Sequence, residues 1–315
     1  MDQKTISVVI SVYNEEKGLP DFGRSLVDDL KKMPQYKFEI LWVNDGSTDK
    51  SQKEIDLIIN SVKAENTNHT GIEFSKNYGH EAAMIAGIDH STGDAVICMD
   101  ADGQHPPSKL GDMIKSFLNG SDIVLTERTS RNDAGFFSKI FSGVFYRFLN
   151  SVSTFKFNKN STDFFLVSRQ VATVLRENFR ENNRFIRGYI QSVGFTKDIV
   201  SFEAPDRQHG KTHYSFKRLL KLAINAVFSF SDKPLRLAIV FSALFILFTL
   251  VFGAYSLYAY FFFETPPSGY TTIVLFLSFS FSVLFSIITV LSLYFEKALH
   301  EIRKRPIYIV KSIRK

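Results

Sequence analysis

Two uninterrupted apolar spans near the C-terminus limit this chain more than any other feature. Leu237–Phe263 and Thr271–Phe295 contain no charged residue, and each exceeds the roughly 20 residues that cross a bilayer as a helix. Between them lies only the turn-rich Glu264-Thr265-Pro266-Pro267-Ser268-Gly269. So short a connection predicts a helical hairpin with both ends on one side of a membrane. Lys233 and Arg236 precede the first span. From Lys297 to the end, Lys297, Arg303, Lys304, Arg305, Lys311, Arg314 and Lys315 stand against a single acid, Glu301, and this tail carries the whole formal net charge of +6. The positive-inside rule then puts both termini and the entire N-terminal part in the cytoplasm, at an inner or plasma membrane. The alternative, two buried core helices, asks for an unusual length and apolarity. A nucleic-acid binder spreads its basic residues over a folded face. A basic block after an apolar span reads instead as a flank against anionic lipid, and no nucleic-acid partner is expected.

The first two thirds of the chain alternate strand-like and helix-like segments. Ile6–Tyr13, Phe38–Asn44, Gly71–Ser75, Ala95–Met99 and Ile123–Thr126 are short β-branched or apolar runs, as buried parallel strands are. Helical patterns lie at Lys17–Met33, Gly79–His90 and Pro107–Leu118, and Ser47, Thr48 or Asp49 could cap a further helix. Phe164–Val167 and Asp198–Phe202 are later strand candidates. This order predicts an α/β fold, a Rossmann-type, mostly parallel sheet with helices on both faces. Phe216–Phe230 sets an apolar stripe against Lys217, Arg218 and Lys221, the pattern of an interfacial amphipathic helix. The expected domains are 1–211, a cytoplasmic domain; 212–233, the interfacial helix region; 234–297, the two spans; and 298–315, a basic cytoplasmic tail. No secretory leader is expected, because the apolar run Ile6–Val12 is short and meets Asn14, Glu15 and Glu16. The single cysteine, Cys98, sits in the apolar run AVICM and reads as a small buried hydrophobe.

In parallel sheets, ligands bind beyond the carboxyl ends of the strands. The polar clusters at Asn14, Asp45, Lys76 and Asp100 all fall there. The strongest is Asp100-Ala101-Asp102-Gly103-Gln104, at the end of an apolar strand. Two carboxylates one residue apart can share Mg²⁺ or Mn²⁺, with the Gln104 amide oxygen as a further ligand and positions left for phosphate oxygens.

Eight runs, SVVISVYNEE, VNDGSTD, SKNYGHEAAM, DADGQHPP, RTSR, TDFFLVSR, RFIRGYIQSVGF and RQHGKTHYSFKRLLKLA, occur in an order that resembles the inverting family-two glycosyltransferases. Within them the chain is most similar to the branch using a polyprenyl phosphate acceptor, the dolichyl-phosphate mannosyltransferases and bacterial undecaprenyl-phosphate glucosyltransferases. The resemblance covers about residues 6–233, and the two-span tail matches the bacterial subgroup. It implies a GT-A-like domain, a nucleotide sugar donor (UDP-glucose first), a polyprenyl phosphate acceptor, and a homo-oligomer, a tetramer by analogy. By the same resemblance, Tyr13, Asn14 and Glu15 form the first nucleotide-contacting turn, Asp45 reads the base, and Lys76 and Asn77 line the nucleotide pocket. Asp100, Asp102 and Gln104 map onto the metal and diphosphate ligands. Arg128 and Arg131 match the pair receiving the acceptor phosphate, where a planar guanidinium can donate two hydrogen bonds. Asp163 is a candidate base or positioning acid. Arg207, Gly210, Thr212 and Tyr214 match a loop closing over the phosphates. Plainer readings stand beside these: helix capping for Asp45, a surface lysine for Lys76, exposed salt bridges for the arginines, a cap or ion pair for Asp163. His209 and His213 read as incidental.

The sequence departs from the family pattern at Ser11, usually Pro and expected to matter little, at Gly103 and His105, usually Leu and Asp, and at Phe165, usually Arg. The implied reaction is an in-line displacement in which the lipid phosphate attacks the anomeric carbon and the nucleoside diphosphate leaves, with inversion. Its catalytic residues are Asp102, Asp163, Arg128 and Arg131. A processive polysaccharide synthase would carry Q-x-x-R-W, but the only Trp is Trp42. A nucleotidyltransferase would show a Gly-rich basic N-terminal loop, which Ser11–Lys17 lacks. A membrane scaffold with a degenerate transferase domain is the non-enzymatic alternative, and intact Asp100, Asp102, Arg128 and Arg131 speak against it.

Overall fold

The computed structural model describes residues 3–62, 64–129, 161–181, 186–203, 233–262, 269–303 and 305–315. The chain divides into two compact units. The first contains β1 (Thr5–Val12), α1 (Leu19–Lys31), β2 (Lys37–Asn44), α2 (Ser51–Ser61), β3 (Thr67–Phe74), α3 (His80–His90) and β4 (Ala95–Asp100). There follow a 3-10 turn at Pro107–Lys109, α4 (Leu110–Leu118), β5 (Ile123–Arg128), β6 (Ser161–Ser168), α5 (Arg169–Asn178), α6 (Ile186–Ser192) and β7 (Lys197–Phe202). The last strand, β8 (Val310–Arg314), lies in the stretch expected as a basic tail.

These strands form one eight-stranded sheet in the order β7-β5-β6-β4-β1-β2-β3-β8. β1 pairs in parallel with both β2 and β4, β2 with β3, and β5 with β7. β6 runs antiparallel to β4 and β5, and β8 antiparallel to β3. β1 is buried along all but its first residue, which is why its sequence is apolar without alternation. On one face Ile6, Val8, Ile10 and Val12 join Leu26, Leu30, Ile55, Ile58, Met113 and Ile114, from α1, α2 and α4, in a continuous core. On the other, α3 lies so close that a methyl at Gly87 would sit 2.0 Å from Val9 Cγ1. Helices therefore cover both faces. α2 begins with Lys50 as its N-cap and no side-chain cap. Of the three residues expected there, Asp49 accepts from Ser51 N (2.9 Å), while Ser47 and Thr48 bond to Asn14 instead.

The second unit holds α7 (Lys233–Phe262) and α8 (Tyr270–Ile302). Leu237–Ala259 and Thr272–Glu296 are long and apolar enough to cross a membrane, with mean hydropathies of 2.6 and 2.5, and among their described residues only Ala238 is buried. They are not buried core helices. Phe252 stacks on Phe276 (5.2 Å) and Phe245 packs on Phe279 (5.7 Å), so aromatic contacts join the two helices into a hairpin. The expected helix at Phe216–Phe230 lies outside the described residues.

Gly87→Ala should lower stability by about 1–3 kcal/mol, because Val9 is fully enclosed and cannot yield. A fall in the denaturant midpoint at unchanged slope would show it.

Candidate active site

β1 has parallel neighbours whose connections leave in opposite directions, and ligand crevices form where strand order reverses in this way. The reversal sets Ser11 of β1 in register with Asp100 of β4. Ser11 Oγ donates to Asp100 Oδ1 (2.7 Å) and lies 2.9 Å from His80 Nδ1. This departure from the family pattern, expected to matter little, therefore ties the first acid of the DADGQ run to the start of α3. His80 Nδ1 is 3.3 Å from Asp100 Oδ1 and its Nε2 is 3.5 Å from Asp163 Oδ2. Arg187 of α6 makes a two-pronged pair with the largely buried Asp163. An ion-paired chain thus runs Arg187–Asp163–His80–Asp100.

The charges in this chain set one another. Burial disfavours the His80 imidazolium, but Asp100 and Asp163 outweigh it and lift His80 to about 9. Burial likewise penalises the Asp163 carboxylate, yet Arg187 and His80 hold it well below the usual carboxylate range. Glu81 accepts from Ile186 N (2.8 Å), and burial plus the Asp163 charge raise it to about 7. His105 is 2% exposed and stacks on Phe164 (5.1 Å). Burial lowers its pKa despite Asp100 and Asp102 nearby. It is neutral, and its Nδ1 accepts from Asp100 N (2.9 Å), fixing the backbone at the end of β4.

The next turn places the second acid. Gly103 has φ +77°, a left-handed conformation open to glycine, and Gln104 N donates to Asp102 Oδ1 (3.0 Å). Arg128, at the end of β5, donates to Gln104 Oε1 (3.0 Å). Asp100, Asp102, Gln104 and Arg128 are brought together, and His80 links Asp163 to them. Among the described residues no group of three or more His, Cys, Asp or Glu forms a metal cage. The donor set still fits a hard divalent cation, since such ions are held by one or two carboxylates and complete their shell with phosphate oxygens and water. Asp100 and Asp102 supply the carboxylates; the Gln104 oxygen is engaged by Arg128.

A second cluster gathers the β1, β2 and β3 ends. Asn14 takes φ +55°, tolerable for Asn, and its Oδ1 accepts from Thr48 N (2.8 Å). Glu15 N donates to Ser51 Oγ (2.8 Å), and Tyr13 stays exposed. Asp45 is 2% exposed and holds the β3–α3 connection: it accepts from Asn77 Nδ2 (2.9 Å), Tyr78 N (2.7 Å) and Gly79 N (2.9 Å). The loops are so tight that a Cβ at Gly46 would meet Lys76 backbone at 2.2 Å. Lys76 is exposed, with Nζ 5.1 Å over the Tyr78 ring. Arg131, Arg207, Gly210, Thr212 and Tyr214 lie outside the described residues. His80, Glu81 and Arg187 were assigned no role from sequence, although they lie within the SKNYGHEAAM and RFIRGYIQSVGF runs.

Residues 7–176 match the model of glycosyl transferase family 2. The chain belongs to this family. It is 32% identical over 313 residues to a prophage bactoprenol glucosyl transferase homolog of Escherichia coli (strain K12), covering 98% of this chain and 99% of that protein. It is also 32% identical to a bactoprenol glucosyl transferase of Shigella phage SfX, over 98% of this chain and 99% of the relative. An uncharacterized glycosyltransferase of Bacillus subtilis (strain 168) is 32% identical over 96% of this chain and 92% of its own length. Among solved structures, the glucosyl-3-phosphoglycerate synthase of Mycobacterium tuberculosis aligns with a TM-score of 0.45 at 15% identity, over 71% of this chain and 78% of that one; so distant a likeness is no guide to substrate.

Glu81 gives this family-two site a pH signature. Its folded value lies above the ordinary 4.5, so its contribution to stability is full below that value and is lost as pH rises through about 7. Glu81→Gln keeps an acceptor for Ile186 N. It should gain on the wild type by on the order of 1–3 kcal/mol between pH 5 and pH 8, read from denaturant midpoints at the two pH values.

Proposed function

We propose that this chain transfers a sugar, with inversion, from a nucleotide sugar to a polyprenyl phosphate at the cytoplasmic face of the membrane, giving polyprenyl-phosphate-sugar and nucleoside diphosphate. The observation that carries this reading is the bond from Arg128 to Gln104 (3.0 Å). It brings the Arg128 guanidinium, from the end of β5, against the loop that carries the paired acids Asp100 and Asp102, which supports a crevice where donor diphosphate and acceptor phosphate meet. The full-length likeness to relatives named bactoprenol glucosyl transferases supports a lipid acceptor and makes UDP-glucose the first donor to try. The hairpin, with basic residues at both ends, supports a domain held at the cytoplasmic surface.

Asp100 and Asp102 would hold Mg²⁺ or Mn²⁺, whose charge offsets the charge developing on the leaving diphosphate. Arg128, with Arg131, orients the acceptor phosphate, and Asn14, Asp45, Lys76 and Asn77 shape the nucleotide side. A phosphate monoester is already ionised at neutral pH, so no strong base is needed. Asp163 fits that economy. Held ionised by Arg187 and His80, it is a weak proton acceptor, and its role is to position those two cations. Most of the rate then comes from orientation and electrostatics.

Membranes containing the chain, undecaprenyl phosphate and a panel of nucleotide sugars should yield a lipid product whose mass identifies the sugar, with UDP-glucose preferred. Chelation of divalent ions should stop transfer, and Asp102→Ala should lower it about 100- to 1,000-fold. Full metal-dependent transfer by that variant would overturn the metal assignment.

A further inference from the structure

Residues 306–315 follow the second apolar helix and read in sequence as the end of a basic tail. In the structure they belong to the catalytic unit, and β8 covers the outer edge of β3, pairing Ile72 with Ile313 and Glu73 with Ser312. Glu73 shows how closely β3 depends on this strand. It is 9% exposed, and Lys311 Nζ (2.6 Å), Ser312 Oγ (2.8 Å) and Arg314 Nη2 (3.4 Å), all from β8, surround its carboxylate. Burial works against the Glu73 carboxylate, but Lys311 and Ser312 outweigh it and hold its pKa down.

Just before β8, Tyr308 stacks flat on Phe74 (5.1 Å, 10°), and its hydroxyl donates to Asp89 Oδ2 (2.7 Å). Asp89 also receives Arg180 (2.8 Å), so the far end of the tyrosine is anchored. Phe74 in turn meets Tyr78 edge-on (5.8 Å, 88°). Ser75 N donates to Ile309 O (3.0 Å). The connection from Ser75 to Gly79 is therefore gripped from two sides. Asp45 takes the amides of Tyr78 and Gly79 from within, and the 308–309 segment backs Phe74 and Ser75 from outside. This connection carries Lys76 and Asn77.

We infer that the segment following the membrane hairpin is a structural part of the donor site, with Tyr308 a positioning residue that braces the Ser75–Gly79 connection against Asp45. The inference rests on the reading of Lys76 and Asn77 as the nucleotide side. Among the described residues, neither the DADGQ run nor Arg128 touches Tyr308, so its loss acts on donor affinity and leaves the chemical step alone.

The test uses the full-length protein in lipid nanodiscs. Tyr308→Ala should raise KM for the nucleotide sugar about 3- to 10-fold, the worth of one stacked aromatic pair, with kcat within about two-fold. Hydrogen exchange at the Tyr78 and Gly79 amides should speed up by about the same factor. Tyr308→Phe keeps the stack and should restore wild-type values. Should Tyr308→Ala not fold, Tyr308→Leu fills the volume without the flat stack and should shift both readouts the same way. Unchanged KM and unchanged exchange at Tyr78 and Gly79 in either variant would overturn the inference, as would a fall in kcat at constant KM. If the wild type transfers from no nucleotide sugar, the functional reading falls, while the exchange measurement still decides whether Tyr308 braces the connection.

Discussion

β1 is the strand on which the rest of the first unit hangs. It is hydrogen-bonded in parallel on both sides and buried on both faces, so it tolerates neither polarity nor slippage. Because the chain moves to one side of β1 for β2 and β3, and to the other for β4, the connections diverge above its carboxyl end. That divergence opens the crevice. The residues there come from the ends of β1, β2, β3, β4 and β5, and a shift of β4 against β1 would pull Asp100 away from Ser11.

Electrostatics then organise what the sheet brings close. Isolated buried charges are costly, so they persist only when paired. Here Arg187, Asp163, His80 and Asp100 form alternating positive and negative members of one chain. The alternation keeps Asp163 ionised and His80 protonated, and leaves Glu81, behind them, as the acid that resists ionisation. Asp100 and Asp163 are consequently parts of one electrostatic unit, and a change at Arg187 is felt at Asp100 through two intervening side chains.

Much of this was legible in the residues. Buried apolar runs ending near Asn14, Asn44, Ser75 and Asp100 marked the strands and the ends where polar side chains gather, because a parallel strand covered on both faces has little use for alternation. The β8 strand was not legible. Its residues are short in number, basic and half-polar, and only the buried Glu73 on the edge of β3, with its need for cationic partners, explains why they form a strand. Asp45 was read as a base-contacting acid or a cap; in the fold its carboxylate gathers the amides of the β3–α3 connection. His105, a departure from the family pattern, replaces an acid with a neutral ring that closes the β4 backbone.

The sequence by itself determined the order of strands and helices as far as β5, the apolar hairpin and the acid pair after β4. Each is written in local periodicity, composition or adjacency, where the physics acts over a few residues. Only the tertiary structure decided which side chains share a crevice and which of them carry charge. Ser11 meets Asp100 and His80 meets Asp163 across long stretches of chain, and ionisation follows from burial and neighbours that no linear spacing records. The same holds for Tyr308. Its place beside Phe74 depends on an edge strand formed more than 200 residues earlier in the chain.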